Sequence, residues 1–422
     1  MTSRRSLQRA LIALLITLIG VALVLLIARP WESPVNAVNV TAQSLQAETI
    51  AAQSEEMPAA EEPLEFTIAA AGDMLIHRPV DDSAWTGTEW DFSALMEPIA
   101  PYIQGADLAL CHLEVPMVPR GQEPSGFPLF GAPQDLAASM ANTGWDGCST
   151  ASNHSLDQGF EGIGNTLNFL DEVGMGHAGT ARTEAESLEP QVYQIKGNGQ
   201  TVTIAHIAAA HNLNGMELPW DAPWAVQMID VPVLEEMARQ AREDGADIVV
   251  ASVHCCEAEY VTDPEPFQVE VAEELAASGL VDIYLAHHAH VPKTVDFLEG
   301  GPNGNGMWVA YGLGNFISNQ QESLLGQKMS SSGLMTFFNG IAEEGQPPRI
   351  EGAEWLTVTM DFPAGHRVRP LTAAGSEGSY ESPEELAARR EIMLQIMEGT
   401  PATEMTAPPE SGSNVTTVVP RG

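Results

Sequence analysis

Five short apolar runs in this chain each end in residues that can hold a cation or move a proton, and that placement narrows the fold more than any other feature. Phe66 to Ala71 runs into Gly72-Asp73, and Ala106 to Cys111 into His112-Leu113-Glu114. A run near Gly147 to Thr150 leads to Ala151-Ser152-Asn153-His154. Ile248 to Val253 is followed at once by His254, and Ile283 to Ala286 by His287-His288-Ala289-His290. Between the runs lie helical patterns over 133–143, 231–244 and 267–277, with Phe160, Ile163, Leu167 and Leu170 close to helical spacing. Short strands alternating with helices predict an α/β architecture. Open α/β sheets bind ligands just outside the C-terminal ends of their strands, where these residues fall.

Taken singly, each group has an ordinary explanation. Gly-Asp after a strand is usually a turn, Asn153-His154 can cap the next helix, and Glu114 can be a surface carboxylate. His254 alone reads as a hydrogen-bonded core histidine. His288-x-His290 is more specific, because alternate loop residues can aim two imidazoles at one ion. Together, Asp73, Glu114, Asn153, His154, His254, His288 and His290 form a donor set suited to Zn, Mn or Fe without thiolates. Two cations sharing a carboxylate would polarise a phosphoryl oxygen and activate water, and a loop histidine beside them could protonate a leaving group.

Longer motifs point the same way. Gly72-Asp73-Met74-Leu75-Ile76-His77, Ala106 to Ala109 with Leu113-Glu114-Val115-Pro116, and Asn153-His154-Ser155-Leu156-Asp157-Gln158-Gly159 stand in that order. Asn214-Gly215 with Pro219, His287-His288-Ala289-His290-Val291-Pro292 and Tyr311-Gly312-Leu313-Gly314-Asn315-Phe316 follow. Over about residues 65–320 this series resembles the bacterial capsule-synthesis CapA family, associated with poly-γ-glutamate production. The resemblance implies a calcineurin-like, four-layer αββα metallophosphatase fold with a two-metal cleft. It implies metal ligands at Asp73, Glu114, Asn153, His254, His288 and His290, with His154 as general acid. His77, Asp157, Glu259, His287 and Asn315 fall to substrate contact or support of the ligands. Three positions depart from the pattern. His112 stands where an Asn is common, and Leu75 replaces the imidazole of an Asp-x-His opening, with His77 either compensating or facing the cleft. His254-Cys255-Cys256-Glu257-Ala258-Glu259-Tyr260 is one residue longer than His-Trp-Gly-x-Glu-Tyr.

Outside the motifs, Arg4, Arg5 and Arg9 precede an uncharged apolar run, Ala10 to Ala28. That run is long enough to cross a bilayer, and the arginines predict that everything after Trp31 lies outside the cytoplasm. A signal peptide cut near Ala37 is the alternative. The expected organisation is a stub and anchor over 1–31, a disordered linker over 32–64, the metallophosphatase-like domain over 65–375, a helical segment over 376–400 and a disordered tail over 401–422. Four cysteines are too few for a disulfide scaffold. Cys111 and Cys148 are read as buried free thiols, although one bridge between them is conceivable, and Cys255-Cys256 as small residues at a strand end.

A net charge of -39 repels phosphate backbones and excludes nucleic acid as a natural partner. Three functions remain: a di-metal hydrolase of a cell-envelope polymer or phosphoester, a non-catalytic polymer-binding accessory of capsule export, and a general phosphoesterase. Other capsule-synthesis membrane proteins are expected partners. Only Arg78, Arg120, Arg182 and Lys293 lie near the motifs to grip an anion.

Overall fold

The computed structural model describes residues 62–410 and 412–421. The apolar run 10–28 and nearly all of the linker lie outside the described residues; among the described residues no helix is long and apolar enough to cross a membrane.

The first sheet is built on β1 (Leu64–Met74), β2 (Leu108–Leu113), β3 (Gly147–Ser149) and β4 (Gly176–Ala178), parallel and side by side. The second is built on β5 (Gln191–Gly197), β6 (Gln200–Ala210), β7 (Ile248–His254), β8 (Ile283–His287), β9 (Val295–Leu298) and β10 (Met307–Ala310), with β6, β7, β8 and β10 parallel. The short β11 (Asn315–Ile317) returns to the first sheet beside the end of β1. Then β12 (Ser332–Ala342), β13 (Arg349–Asp361) and β14 (Arg367–Leu371) extend that sheet antiparallel from the other edge of β1.

Side-chain alternation assigns the layers. Phe66, Ile68 and Ala70 of β1 pack with Leu108 and Leu110 of β2 against Tyr193, Ile204, Val250 and Leu285 of the second sheet, forming the core between sheets. Ala69 and Ala71 turn the other way, towards Leu136 and Met140 of helix Asp135–Thr143 and Leu170 of helix Gly159–Glu172. On the far side of the second sheet, Val249 and Ala251 meet Leu234 and Ala238 of helix Val231–Glu243 and Leu275 of helix Pro266–Ser278. Helix, sheet, sheet, helix is the αββα order that the resemblance implied. Both outer helices start where their sequence says. Asp230 accepts from the Val233 amide, and Glu265 and Gln268 form a capping box across Pro266.

Two expectations are corrected here. The tail from Pro401 is folded: β15 (Thr403–Glu404) pairs with β13, and β16 (Val415–Val419) adds antiparallel to β5. Large apolar residues are scarce there, but Val415-Thr416-Thr417-Val418-Val419 is a β-branched run suited to a half-covered edge strand. Asn414 Nδ2 donates to Glu65 O at 2.8 Å and the Thr416 hydroxyl donates to Asp107 O, so this strand of the second sheet also touches the first. The cysteines are not free thiols either. Cys111 and Cys148 face each other in register on β2 and β3 and are disulfide-bonded, as are the buried Cys255 and Cys256.

Candidate metal centre

The parallel strands of both sheets end at the same place. Asp73 closes β1, and its amide donates to Gly314 O at 2.8 Å. That approach requires a glycine at 72, because a Cβ there would lie 1.9 Å from Gly314 O. His112 is the register partner of Asp73 on β2, and Ser149 that of His112 on β3. From the second sheet come His254 and His287, paired with each other at the ends of β7 and β8. The chain then turns through His288 (φ 85°) and His290 (φ 55°), left-handed conformations uncommon for non-glycine residues and frequent at functional sites.

Asp73 and Glu114 are fully buried. The Asp73 carboxylate lies 3.4 Å from His287 Nδ1 and 3.0 Å from His290 Nδ1, and His290 Nε2 lies 3.7 Å from Glu114 Oε1. His290 Nδ1 also meets Asn315 Oδ1 at 3.1 Å, so these close contacts leave both oxygens of Asp73 and of Glu114 without a well-aligned hydrogen bond. Both nitrogens of His287 and Nδ1 of His288 also lack one. Buried carboxylates and imidazoles in that state are costly unless a cation joins them. Their ligand atoms fall into three groups, each within 4.8 Å: Asp73, His112 and His287; Asp73, Glu114 and His290; and Glu259, His288 and His290. The donor set therefore fits divalent metal.

Electrostatics within the cluster are strongly polarised. Burial works to raise the Asp73 carboxyl, but the close approach of the His287 and His290 imidazoles outweighs it and holds the group well below the usual range. Glu114 is pushed well above its range by burial, against the attraction of His290. Burial opposes the charge on His290, yet Glu114 and Asp73 raise it to about 9. His112 and His254 are lowered by burial and by neighbouring imidazoles, and so is His288, to about 4.

Around this centre the remaining predicted residues gather. His254 Nε2 lies 2.9 Å from Asn153 Oδ1 and its Nδ1 2.9 Å from His112 Nε2. Asn153 Nδ2 donates to Asn214 Oδ1 at 3.3 Å. His154 Nδ1 is 2.7 Å from Asp157 Oδ2, which also accepts from the Phe130 amide, and the Phe130 ring stands edge-on to both His154 and His77. His77 Nδ1 faces Leu75 O at 2.9 Å and the Asn319 amide at 3.2 Å, donating to the first or accepting from the second, and burial lowers the ring to about 4. Asn315 spends its amide on Gln320, Ser330 O and His290 O, which makes it a brace for His290. Glu259 does reach the cluster despite the extra residue in its loop, and Tyr260 accepts from Gln320.

Sequence reasoning missed His112 as a possible ligand and gave His287 only a supporting place. No sequence signal marked His112: it lies one strand away from Asp73 and in register with it, which only the strand pairing shows. The cations near the motifs are all engaged. Arg78 donates to Pro124 O, Arg120 pairs with Glu172, Arg182 with Asp171 and Glu186, and buried Lys293 with Gln268.

Comparison with known proteins agrees with the motifs. The family described as bacterial capsule synthesis protein PGA_cap matches residues 67–320. The chain is 24% identical over 328 residues to "Capsule biosynthesis protein CapA" of Bacillus anthracis, covering 75% of each. It is 29% identical over 180 residues to "PGA biosynthesis protein CapA" of Bacillus subtilis, covering 41% of this chain and 42% of that one. Among solved structures, the NAD nucleotidase NadN of Haemophilus influenzae is similar at 12% identity and a TM-score of 0.43, covering 82% of this chain and 58% of that one. The calcineurin-like phosphoesterase YfkN of Bacillus subtilis is similar at 12% identity and 0.40, with 79% and 98% covered. With its family match running over more than half of its length, and with that family's motifs gathered at one end of two sheets, the chain belongs to the bacterial capsule synthesis protein family PGA_cap.

Proposed function

We propose that this capsule-synthesis protein is a divalent-metal-dependent hydrolase, held at the outer face of the cytoplasmic membrane by residues 10–28 and acting on a cell-envelope polymer or phosphoester. The observation that carries the reading is the pair of fully buried carboxylates, Asp73 and Glu114, with no aligned partner amid unsatisfied imidazoles. Asp73, Glu114, Asn153, His254, His288 and His290, joined by His112 and His287, would hold two ions. Ions of this class supply Lewis-acid polarisation and water activation.

The chain's own residues account for the rest. Asp157 orients His154 through Nδ1 at 2.7 Å, leaving Nε2 to carry a proton to a leaving group. The Phe130 ring stands edge-on to His154 and His77, and its amide donates to the Asp157 carboxylate at 2.7 Å. Asn214 supports Asn153 from the neighbouring loop. Since Arg120 and Arg182 are ion-paired and Lys293 is buried against Gln268, a polyanion would be gripped chiefly through metal, which favours the hydrolase over a purely polymer-binding accessory.

The test is metal analysis of the full-length protein purified in detergent, followed by assays on poly-γ-glutamate and a generic phosphodiester. About two ions per chain are expected, and Asp73→Asn should lose metal and activity together. A metal-loaded protein that cleaves neither would leave the accessory reading standing in place of the hydrolase.

A further inference from the structure

Two of the three donor groups at the centre share Asp73 and differ in character. Asp73, His112 and His287 combine two imidazoles with one carboxylate, whereas Asp73, Glu114 and His290 combine two carboxylates with one imidazole. Asp73 belongs to both, so it joins two halves of different chemical character. The residue that makes the first half rich in nitrogen is His112.

His112 is fixed in place on every side. It is fully buried, and its ring stacks on His287 with centroids 4.0 Å apart and planes 16° from parallel. Its Nδ1 lies 2.7 Å from Ser149 Oγ, and its Nε2 lies 2.9 Å from His254 Nδ1. A histidine anchored through one nitrogen by an oxygen, with the other turned towards a cluster of ligands, is oriented as metal-bound histidines are. His254 repeats the arrangement, with Asn153 Oδ1 at its Nε2. Suppose His112 donates to Ser149 and His254 donates to Asn153. Two lone pairs then face each other across 2.9 Å, a repulsive arrangement that a cation beside them would relieve. Reversing the chain, with Ser149 as donor, satisfies the same atoms when no ion is bound. The contacts therefore serve both an empty and a loaded state. His287, stacked on His112, has neither nitrogen satisfied, and that second imidazole is free to join the same ion.

We propose that His112 is a metal ligand and that it makes the half-site it shares with Asp73 and His287 selective for a nitrogen-preferring ion such as zinc or cobalt. The half-site of Asp73, Glu114 and His290 then takes a harder ion such as manganese or magnesium, in keeping with carboxylate donors. This rests on the metal-dependent reading above and adds that the two ions differ.

The test uses full-length protein in detergent, stripped of metal and given one equivalent of zinc with excess manganese. Metal content is read after desalting, and the zinc environment by X-ray absorption. Wild type should retain both elements, with at least two imidazoles around zinc. In His112→Asn, zinc affinity should fall about tenfold or more, the scale seen when the shell around a metal is disturbed, while manganese affinity changes far less. An unchanged zinc-to-manganese preference in His112→Asn, or a wild-type zinc with one imidazole or none, overturns the proposal and leaves the metal-dependent reading intact. Failure of wild type to bind either metal overturns both. Should His112→Asn not fold, as circular dichroism would show, the absorption measurement on wild type decides alone.

Discussion

His154 and Asp81 show how differently two buried polar groups in one chain can be employed. His154 is held by Asp157 at 2.7 Å and fenced by Phe130, so its replacement separates chemistry from binding. With a substrate that is turned over, His154→Gln should lower kcat by about 10²–10⁴-fold, the usual worth of general acid catalysis, with metal content unchanged. A loss of stability without a selective loss of rate would show that the ring only orders its loop. Asp81, on helix Arg78–Ala84, is fully buried; neither carboxyl oxygen is hydrogen-bonded and the Arg78 guanidinium is 3.8 Å away. Burial pushes it up to about 8, despite Arg78. Its folded value thus exceeds its unfolded one of about 3.9, and between about pH 4 and pH 8 the native state holds a proton that the unfolded chain does not. The stability from protonated Asp81 is present in full at low pH and is lost as pH rises through about 8. Denaturation of wild type and Asp81→Asn at several pH values should give curves that diverge, wild type losing on the order of 2–4 kcal/mol more between pH 5 and pH 8. Parallel curves would show that Asp81 is ionised throughout.

Among the elements, β2 and β3 carry the clearest consequence. The bond between Cys111 and Cys148 closes a loop of 37 residues. In the chain-entropy account a loop of that size is worth about 4 kcal/mol, with about 2–4 kcal/mol commonly realised. A Cys111→Ala, Cys148→Ala double variant should unfold at correspondingly lower denaturant, and peptide mapping without reductant should recover residues 111 and 148 linked. Recovery of two free thiols would restore the sequence-based expectation. That expectation failed for a physical reason. Whether two cysteines meet depends on the register of β2 against β3, which apolar patterning leaves open. That Asp73, Glu114, His254 and His288-x-His290 gather at one end of the two sheets was legible, because parallel strands that each close on a polar group bring those groups together. His112 was not legible, since a histidine inside an apolar strand looks like core until its register partner is known. The order of β16 was hidden by composition, as its stability comes from pairing with β5 rather than from large side chains.

At the scale of the molecule, the charge and the amino-terminal run set the expected behaviour. Arg4, Arg5 and Arg9 followed by Ala10 to Ala28 predict that the full chain fractionates with membranes and that deletion of residues 1–31 releases a folded, soluble domain. Protein found only in culture fluid, beginning near Val38, would mean cleavage instead. Metal bound among these residues would have a mechanical meaning as well. Asp73, His112, Glu114 and Asn153 belong to or follow strands of the first sheet, while His254, His287, His288 and His290 belong to or follow strands of the second. Ions coordinated by both groups would clasp one sheet to the other at this end of the sandwich, as Asn414 and Thr416 do through Glu65 and Asp107 at the opposite end. Occupancy at a thousand times the dissociation constant would add about 4 kcal/mol to native stability. A chelator would then unfasten the sandwich at the end where these side chains gather.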